Sequence, residues 1–370
     1  MIGPELEIQF IASVVAVACA LPGVFLVLRK MAMMSDAISH SILFGIVVMF
    51  FVTKEITSPL LLLGAAATGI ITVGMVEMTH KTKLLKEDAS IGIVFPLLFS
   101  IGVILISKYA GDVHLDSDAV LLGELAFAPF DRFVVLGIDI GPKSLIVMLV
   151  ILVLNILFIA IFYKELKLTI FDPGLARALG FNPNIIHYTL MAFVSITAVG
   201  AFDAVGSILV VALMIGPPAI AYLITERLSR MLVLSAVLGV LSAVSGYWLA
   251  SLFDVSIAGS IATMIGVLFV LTFLFSPLNG MIALMYRKRK QGIVFAARIL
   301  LVHLSHHEGK PESEEENRYH NLDKHLHWNK ERIKKIVAYA QDRKLIHIEN
   351  EMLLLTDSGR KLAQTSITAS

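Results

Sequence analysis

Over the first three quarters of the chain, apolar residues come in blocks of about twenty, separated by short polar breaks. A helix needs roughly 20 mostly apolar residues to cross about 30 Å of hydrocarbon. Blocks of that length fall near residues 8–29, 31–53, 58–79, 90–107, 144–163, 184–202, 206–225, 229–252 and 256–276. The pattern predicts an all-α polytopic membrane protein with eight to nine spanning helices. The stretch 119–141 is also apolar, but Pro129, Asp131 and Arg132 interrupt it, so it reads as an interfacial helix and loop. The first block is long and weakly basic at its front, and no small-residue cleavage site follows it, which fits a span rather than a cleaved leader.

Past residue 286 the pattern becomes that of a soluble domain. Arg287, Lys288, Arg289 and Lys290 close the last span, 291–307 keeps helical apolar spacing, and 308–317 is an acidic linker. A short helix near 319–326, a longer one over 330–343, strands at Leu345–Glu349 and Met352–Leu355 and a final helix capped by Thr356 are then predicted. The expected division is a transmembrane domain 1–286, a juxtamembrane helix and linker 287–317, and a small α+β domain 318–370 whose first helix is 291–307.

Composition agrees with the pattern. The 370 residues are 57% apolar and 16% charged with a mean hydropathy of +0.83, against about 45–50% and about 25% for a soluble domain. Cys19 is the single cysteine, which excludes a disulfide framework, an iron–sulfur cluster and a multi-thiolate zinc site. Charge also sets orientation. With the N-terminus outside, Arg29, Lys30, Lys81, Lys83, Lys86, Lys164, Lys167, Arg177, Arg227, Arg230 and the 287–290 cluster face in, against Lys54, Lys108, Arg132 and Lys143 outside. That predicts a multi-pass membrane protein whose tail, after an odd number of spans, lies in the cytoplasm. No GxxxxGK[ST] loop occurs, so ATP-driven transport would need a separate ATPase; the chain itself is not expected to be an enzyme.

Charged residues inside a membrane are costly and tend to mark a pathway. In the second block Asp36 and His40 stand four residues apart, on one helix face. A helix starting near residue 30 would carry them roughly 9 and 15 Å into the membrane. A carboxylate and an imidazole suit Mn(II), Fe(II) or Zn(II), and a second such face from a partner subunit would complete the ligand set. The alternative is a displaced helix cap and a buried histidine. Ser35 and Ser39 beside the pair, and Asp203 in an outer turn Gly200–Gly206, are further pathway candidates. Gly216-Pro217-Pro218 is expected to break the seventh span. Glu77 reads as an interfacial residue, and Asp112, His114, Asp116 and Asp118 as an acidic outer loop.

Between the fifth and sixth spans, Asp172 is placed to cap a short helix with Pro173 at its first position and Gly180 at its end. Leu175, Ala178 and Leu179 give it an apolar face fit for a groove in a soluble partner.

Four motifs, SDAISHSILFG, KEDASIGIVFPLLFSIGVILIS, FDPGLARALG and GSILVVALMIGPPAIAYLI, follow the order and spacing of the manganese/zinc/iron permeases of bacterial ABC importers, a resemblance covering about residues 8–280. The resemblance implies a permease that pairs with a second, identical or homologous permease and receives a divalent metal from an extracytoplasmic binding protein. It also implies an ATPase bound through the helix with Asp172, Pro173, Leu175, Ala176, Leu179 and Gly180, and it places the metal contacts on Asp36 and His40. Metal is then substrate, with no permanently bound cofactor. Ser35 stands where relatives commonly have Gly or Asn, and Phe44 where many have Pro.

The run from Asn329 to Ala363 resembles the winged-helix DNA-binding domain of iron- and manganese-dependent repressors. Lys330, Arg332, Lys334 and Lys335 would lie on its recognition helix, but Glu331 interrupts them, so nucleic acid is the less favoured partner beside lipid and ATPase. His320, His325 and His327, and upstream His303, His306 and His307, have spacings compatible with a regulatory metal. The competing reading is a membrane-bound metal sensor that signals through the tail.

Overall fold

The computed structural model describes residues 3–54, 60–109, 125–135, 138–277, 280–310 and 317–368. The chain divides into two compact units, Met1–Leu278 and Asn279–Ser370.

The first unit is helical almost throughout. Its helices are α1 (Pro4–Leu28), α2 (Met33–Thr53), α3 (Leu60–Lys81), α4 (Glu87–Tyr109), α5 (Lys143–Ile161), α6 (Tyr163–Phe171), α7 (Pro173–Ala178), α8 (Pro183–Val205), α9 (Ser207–Ile224), α10 (Leu228–Phe253) and α11 (Ile257–Phe275). Among the described residues, eight helices (α1, α2, α4, α5, α8, α9, α10 and α11) are long and apolar enough to cross a membrane. The remaining predicted block, 58–79, is the 22-residue helix α3. The bundle is built around α1, which packs against α5, α8, α9 and α10. Its run of Ala, Val and Gly leaves little side chain between backbones, the usual means of close packing in lipid. Outward-facing positions are apolar too, as on α5, where Val150, Val153, Ile156 and Leu157 are exposed; a helix apolar all round belongs in lipid or against another subunit.

Buried polar groups tie the helices together. Asn155 of α5 donates from Nδ2 to the Ala18 carbonyl of α1 (3.1 Å) and to Thr197 Oγ1 of α8 (2.9 Å). Ser195 Oγ of α8 donates to the Ala66 carbonyl of α3 (3.0 Å), and Thr72 Oγ1 of α3 to Ser41 Oγ of α2 (2.7 Å).

Three expectations change. Within 119–141, residues 119–124 lie outside the described residues, Leu125–Phe130 is a turn, and Arg132–Val135 (β1) pairs antiparallel with Ile138–Pro142 (β2). Pro129 and Asp131 oppose a helix there, and β-branched residues favour a hairpin. Asp203 is not in a turn: α8 runs to Val205, only Gly206 (φ 80°) reverses the chain, and Asp203 sits exposed in the last helical turn. Nor does Gly216-Pro217-Pro218 break a span, because α9 runs through all three. The prolines remove two backbone donors, but packing against neighbouring helices maintains the helix. Asp112, His114, Asp116 and Asp118 lie outside the described residues.

The second unit holds α12 (Met281–His307), a short 3-10 turn Tyr319–Asn321, α13 (Leu322–Leu326), α14 (Lys330–Asp342), the antiparallel hairpin β3 (Ile346–Glu349) and β4 (Met352–Leu355), and α15 (Asp357–Thr368). Its core gathers Leu300, Leu301 and Leu304 of α12, Ile333, Ile336 and Val337 of α14, Leu353, Leu355 and Ala363. Asn329 caps α14, Thr356 Oγ1 accepts from Gly359 N–H (3.2 Å), and Arg360 forks onto Glu308 at 2.7 and 2.9 Å. Only one two-stranded sheet is described in this unit.

Candidate functional site

Helix α2 carries the acid–imidazole pair. Lys30, at φ 62°, separates it from α1, so α2 begins at Met33 rather than near residue 30. Asp36 therefore lies in the first turn, and a rise of 1.5 Å per residue puts His40 about 10 Å along a helix of about 31 Å. The pair sits in the first third of the span rather than at its middle. Asp36 is no cap, because Ala32 holds that position.

His40 Nε2 lies 3.4 Å from Asp36 Oδ1. One cation about 2.0–2.2 Å from each atom fits that separation. Both side chains keep partial access, 31% for His40 and 27% for Asp36. The imidazole packs against α4, its ring centre 5.6 Å from that of Phe95 and 6.3 Å from that of Phe99. An aromatic wall on one side and a carboxylate on the other restrict the ring to few orientations.

Ser35 and Ser39 lie on a different face. Both are buried, and their hydroxyls donate to their own helix, Ser35 to the Ala32 carbonyl (3.0 Å) and Ser39 to the Ser35 carbonyl (2.9 Å). Asp203 is far along α8, in its last turn, and is not brought to the pair by any described contact. Among the described residues no group of three or more His, Cys, Asp or Glu is arranged to hold a metal. A single chain thus presents two donors at α2, and His320 and His327 of the tail are exposed outside any such group.

The short inner helix has the expected capping. Asp172 Oδ1 accepts from Leu175 N–H (2.9 Å), Pro173 occupies the first turn, and Gly180 at φ 86° ends it. Ala176 is buried and anchors the helix, while Leu175 (47%) and Leu179 (60%) are exposed. Phe171, Arg177 and Ile185, on and around this helix, are exposed as well.

Sequence reasoning missed what lies beneath that helix. Glu77 is not simply interfacial: His187 Nε2 is 2.5 Å from Glu77 Oε1, the Tyr188 hydroxyl donates to Glu77 Oε2, and Lys81 Nζ is 3.3 Å away. Arg29 Nη1 lies 2.7 Å from His187 Nδ1. Arg29, Glu77, Lys81 and His187 border a cavity of about 330 Å³ that Pro173 and Arg177 of α7 and Met34 of α2 also line. His187 lies near the start of α8, the helix that follows α7, and carries no local motif of its own.

Eight helices apolar enough to span among the described residues, with a carboxylate–imidazole pair on one of them, mark a multi-pass membrane protein. Residues 6–276 match the ABC 3 transport family, and the chain belongs to it. Over 365 residues it is 46% identical to the zinc transport system membrane protein TroD of Treponema pallidum, covering 99% of each chain. It is 51% identical over 268 residues to the manganese transport system membrane protein MntD of Bacillus subtilis, covering 72% of this chain and 90% of that one. The first match takes in the tail unit; the second leaves more than a quarter of the chain unmatched. Among solved structures, PsaBC from Streptococcus pneumoniae in complex with Fab resembles it with a TM-score of 0.61 at 29% identity, over 74% of this chain and 92% of that one.

Proposed function

We propose that this chain is the permease subunit of an ATP-binding-cassette importer for a divalent transition metal, manganous or zinc ion, with ferrous ion as a third substrate to be tested. The carrying observation is the Asp36–His40 pair, 3.4 Å apart on a helix long and apolar enough to span a membrane. The manganese and zinc transport systems to which the relatives belong support the same substrates. The chain is not itself an enzyme. ATP is hydrolysed by a partner ATPase, and an ABC importer permease works with that subunit, a substrate-binding protein and a partner permease. A second α2, from an identical or homologous permease, would bring the two missing donors.

In this reading α7 is the ATPase-coupling helix, which puts that end of the bundle at the cytoplasm and the tail with it. The tail is read as a winged-helix-like regulatory module. Its order of three helices, a hairpin and a final helix supports this. DNA is the weaker partner: the basic residues of α14 are interleaved with Glu331, which pairs with Lys335 (2.9 Å). Lys335 also holds the Glu331 carboxyl below its ordinary range. A tail that reports cytosolic metal through His320, His325 or His327 remains part of the proposal. A stand-alone sensor would have no use for so many spans and a coupling helix.

The test is uptake by liposomes holding this chain with its ATPase, partner permease and binding protein, assayed with Mn(II), Zn(II) and Fe(II). ATP-dependent accumulation of at least one ion supports the reading. Accumulation of none, with an assembled and ATP-hydrolysing complex, overturns it.

A further inference from the structure

Arg29 is the last residue before the break that starts α2, and its guanidinium reaches both sides of the coupling segment. Nη2 donates to Thr169 Oγ1 of α6 (3.4 Å), three residues ahead of the α7 cap Asp172. Nη1 lies 2.7 Å from His187 Nδ1 of α8, the helix that follows α7. A guanidinium has donors and no acceptor, so Nδ1 must accept and the imidazole proton sits on Nε2. There it points at Glu77 Oε1 of α3, 2.5 Å away. The tautomer follows from its neighbours: arginine cation, neutral imidazole and carboxylate form one directed line. His187 is 8% exposed, so water competes poorly for these bonds.

The line joins four elements. Thr169 and His187 bracket α7 in sequence, Glu77 fixes the line to α3, and Arg29 itself leads through Lys30 into the helix bearing Asp36 seven residues later. Met31, just before α2, and Met34 in its first turn line the same cavity as Pro173 and Arg177 of α7. Resting on the permease reading above, we propose that Arg29 is a positioning residue that couples α7 to α2: a displacement of the coupling helix reaches the metal-bearing helix through the Thr169–Arg29–His187–Glu77 line. The fork matters as much as the charge, because a lysine ammonium at the same place cannot address Thr169 and His187 from one rigid plane.

The experiment measures metal ions moved per ATP hydrolysed by the complete complex in liposomes. Arg29→Lys should lower that ratio about tenfold, within the usual range of a coupling between sites. Affinity of the detergent-solubilised permease pair for Mn(II) should stay unchanged, because no ligand is touched. His187→Gln, whose amide can accept from Arg29 and donate to Glu77, should restore most of the ratio relative to His187→Ala. Proportionate loss of hydrolysis and transport by R29K, an unchanged ratio, or no difference between H187Q and H187A would each overturn the proposal. If R29K fails to assemble, Thr169→Val removes one hydroxyl only and should still lower the ratio about threefold; an unchanged ratio would then overturn it. Should the unaltered complex move no metal, the transport reading fails, and coupling is still read as stimulation of ATP hydrolysis by loaded binding protein. R29K should lower that stimulation about tenfold, and equal stimulation overturns the coupling role alone.

Discussion

Gly23 of α1 lies against the Met214 carbonyl of α9 so closely that a Cβ on Gly23 would come within 1.9 Å of its oxygen. That carbonyl is the one whose usual helical donor, four residues on, is Pro218. The α1 backbone therefore packs where the proline has left an acceptor without its N–H. Gly23→Ala should push α1 and α9 apart and destabilise the bundle by about 1–3 kcal/mol, the range for overpacking. Thermal unfolding in detergent checks this, with Gly74→Ala as control, since nothing lies within 4 Å of its Cβ position.

At α2, His40→Ala and Asp36→Ala should each lower metal uptake by at least about a hundredfold, because half of one chain's two-donor set is removed. Insertion and assembly should persist, as both side chains are partly accessible rather than core. Uptake of radioactive Mn(II) or Zn(II), alongside pull-down of the ATPase, separates the two effects. Ser39→Ala removes only one bond to its own helix and no ligand, so uptake should stay within about threefold of wild type.

On the coupling helix, Leu175→Asp places a carboxylate at an exposed apolar position. If α7 seats in the ATPase, the charge would be buried without a partner, at a cost of several kcal/mol. ATPase copurification should fall by more than about tenfold while metal affinity holds. Asp172→Ala, which loses one cap worth about 1 kcal/mol, should weaken association by less.

Truncation after Leu278 should leave the first unit folded, since the two units form separate compact sets. If the tail senses cytosolic metal, intact transporter should slow at high internal Mn(II) and the truncated form should not. Equal response of the two in preloaded liposomes would remove the regulatory role.

Hydrophobic blocks, the acid–imidazole pair at i and i+4, the D-P-G cap and the soluble tail were all legible as local patterns. Each depends on residues within one or two turns: blocks are long enough to span, ligands four apart share a face, and Asp172 caps its own helix. Long-range contacts decided the rest. The start of α2 moved three residues because Lys30 takes a left-handed conformation, which shifted Asp36 and His40 toward one end of the span. Pro217 and Pro218 stayed helical because the neighbouring helices pack tightly around them. Glu77 reads locally as an interfacial acid, and only the packing of α3 against α8 pairs it with His187. A charge in an apolar block announces that something must satisfy it; which residue does so depends on the neighbouring helix, and that choice is written in the tertiary packing alone.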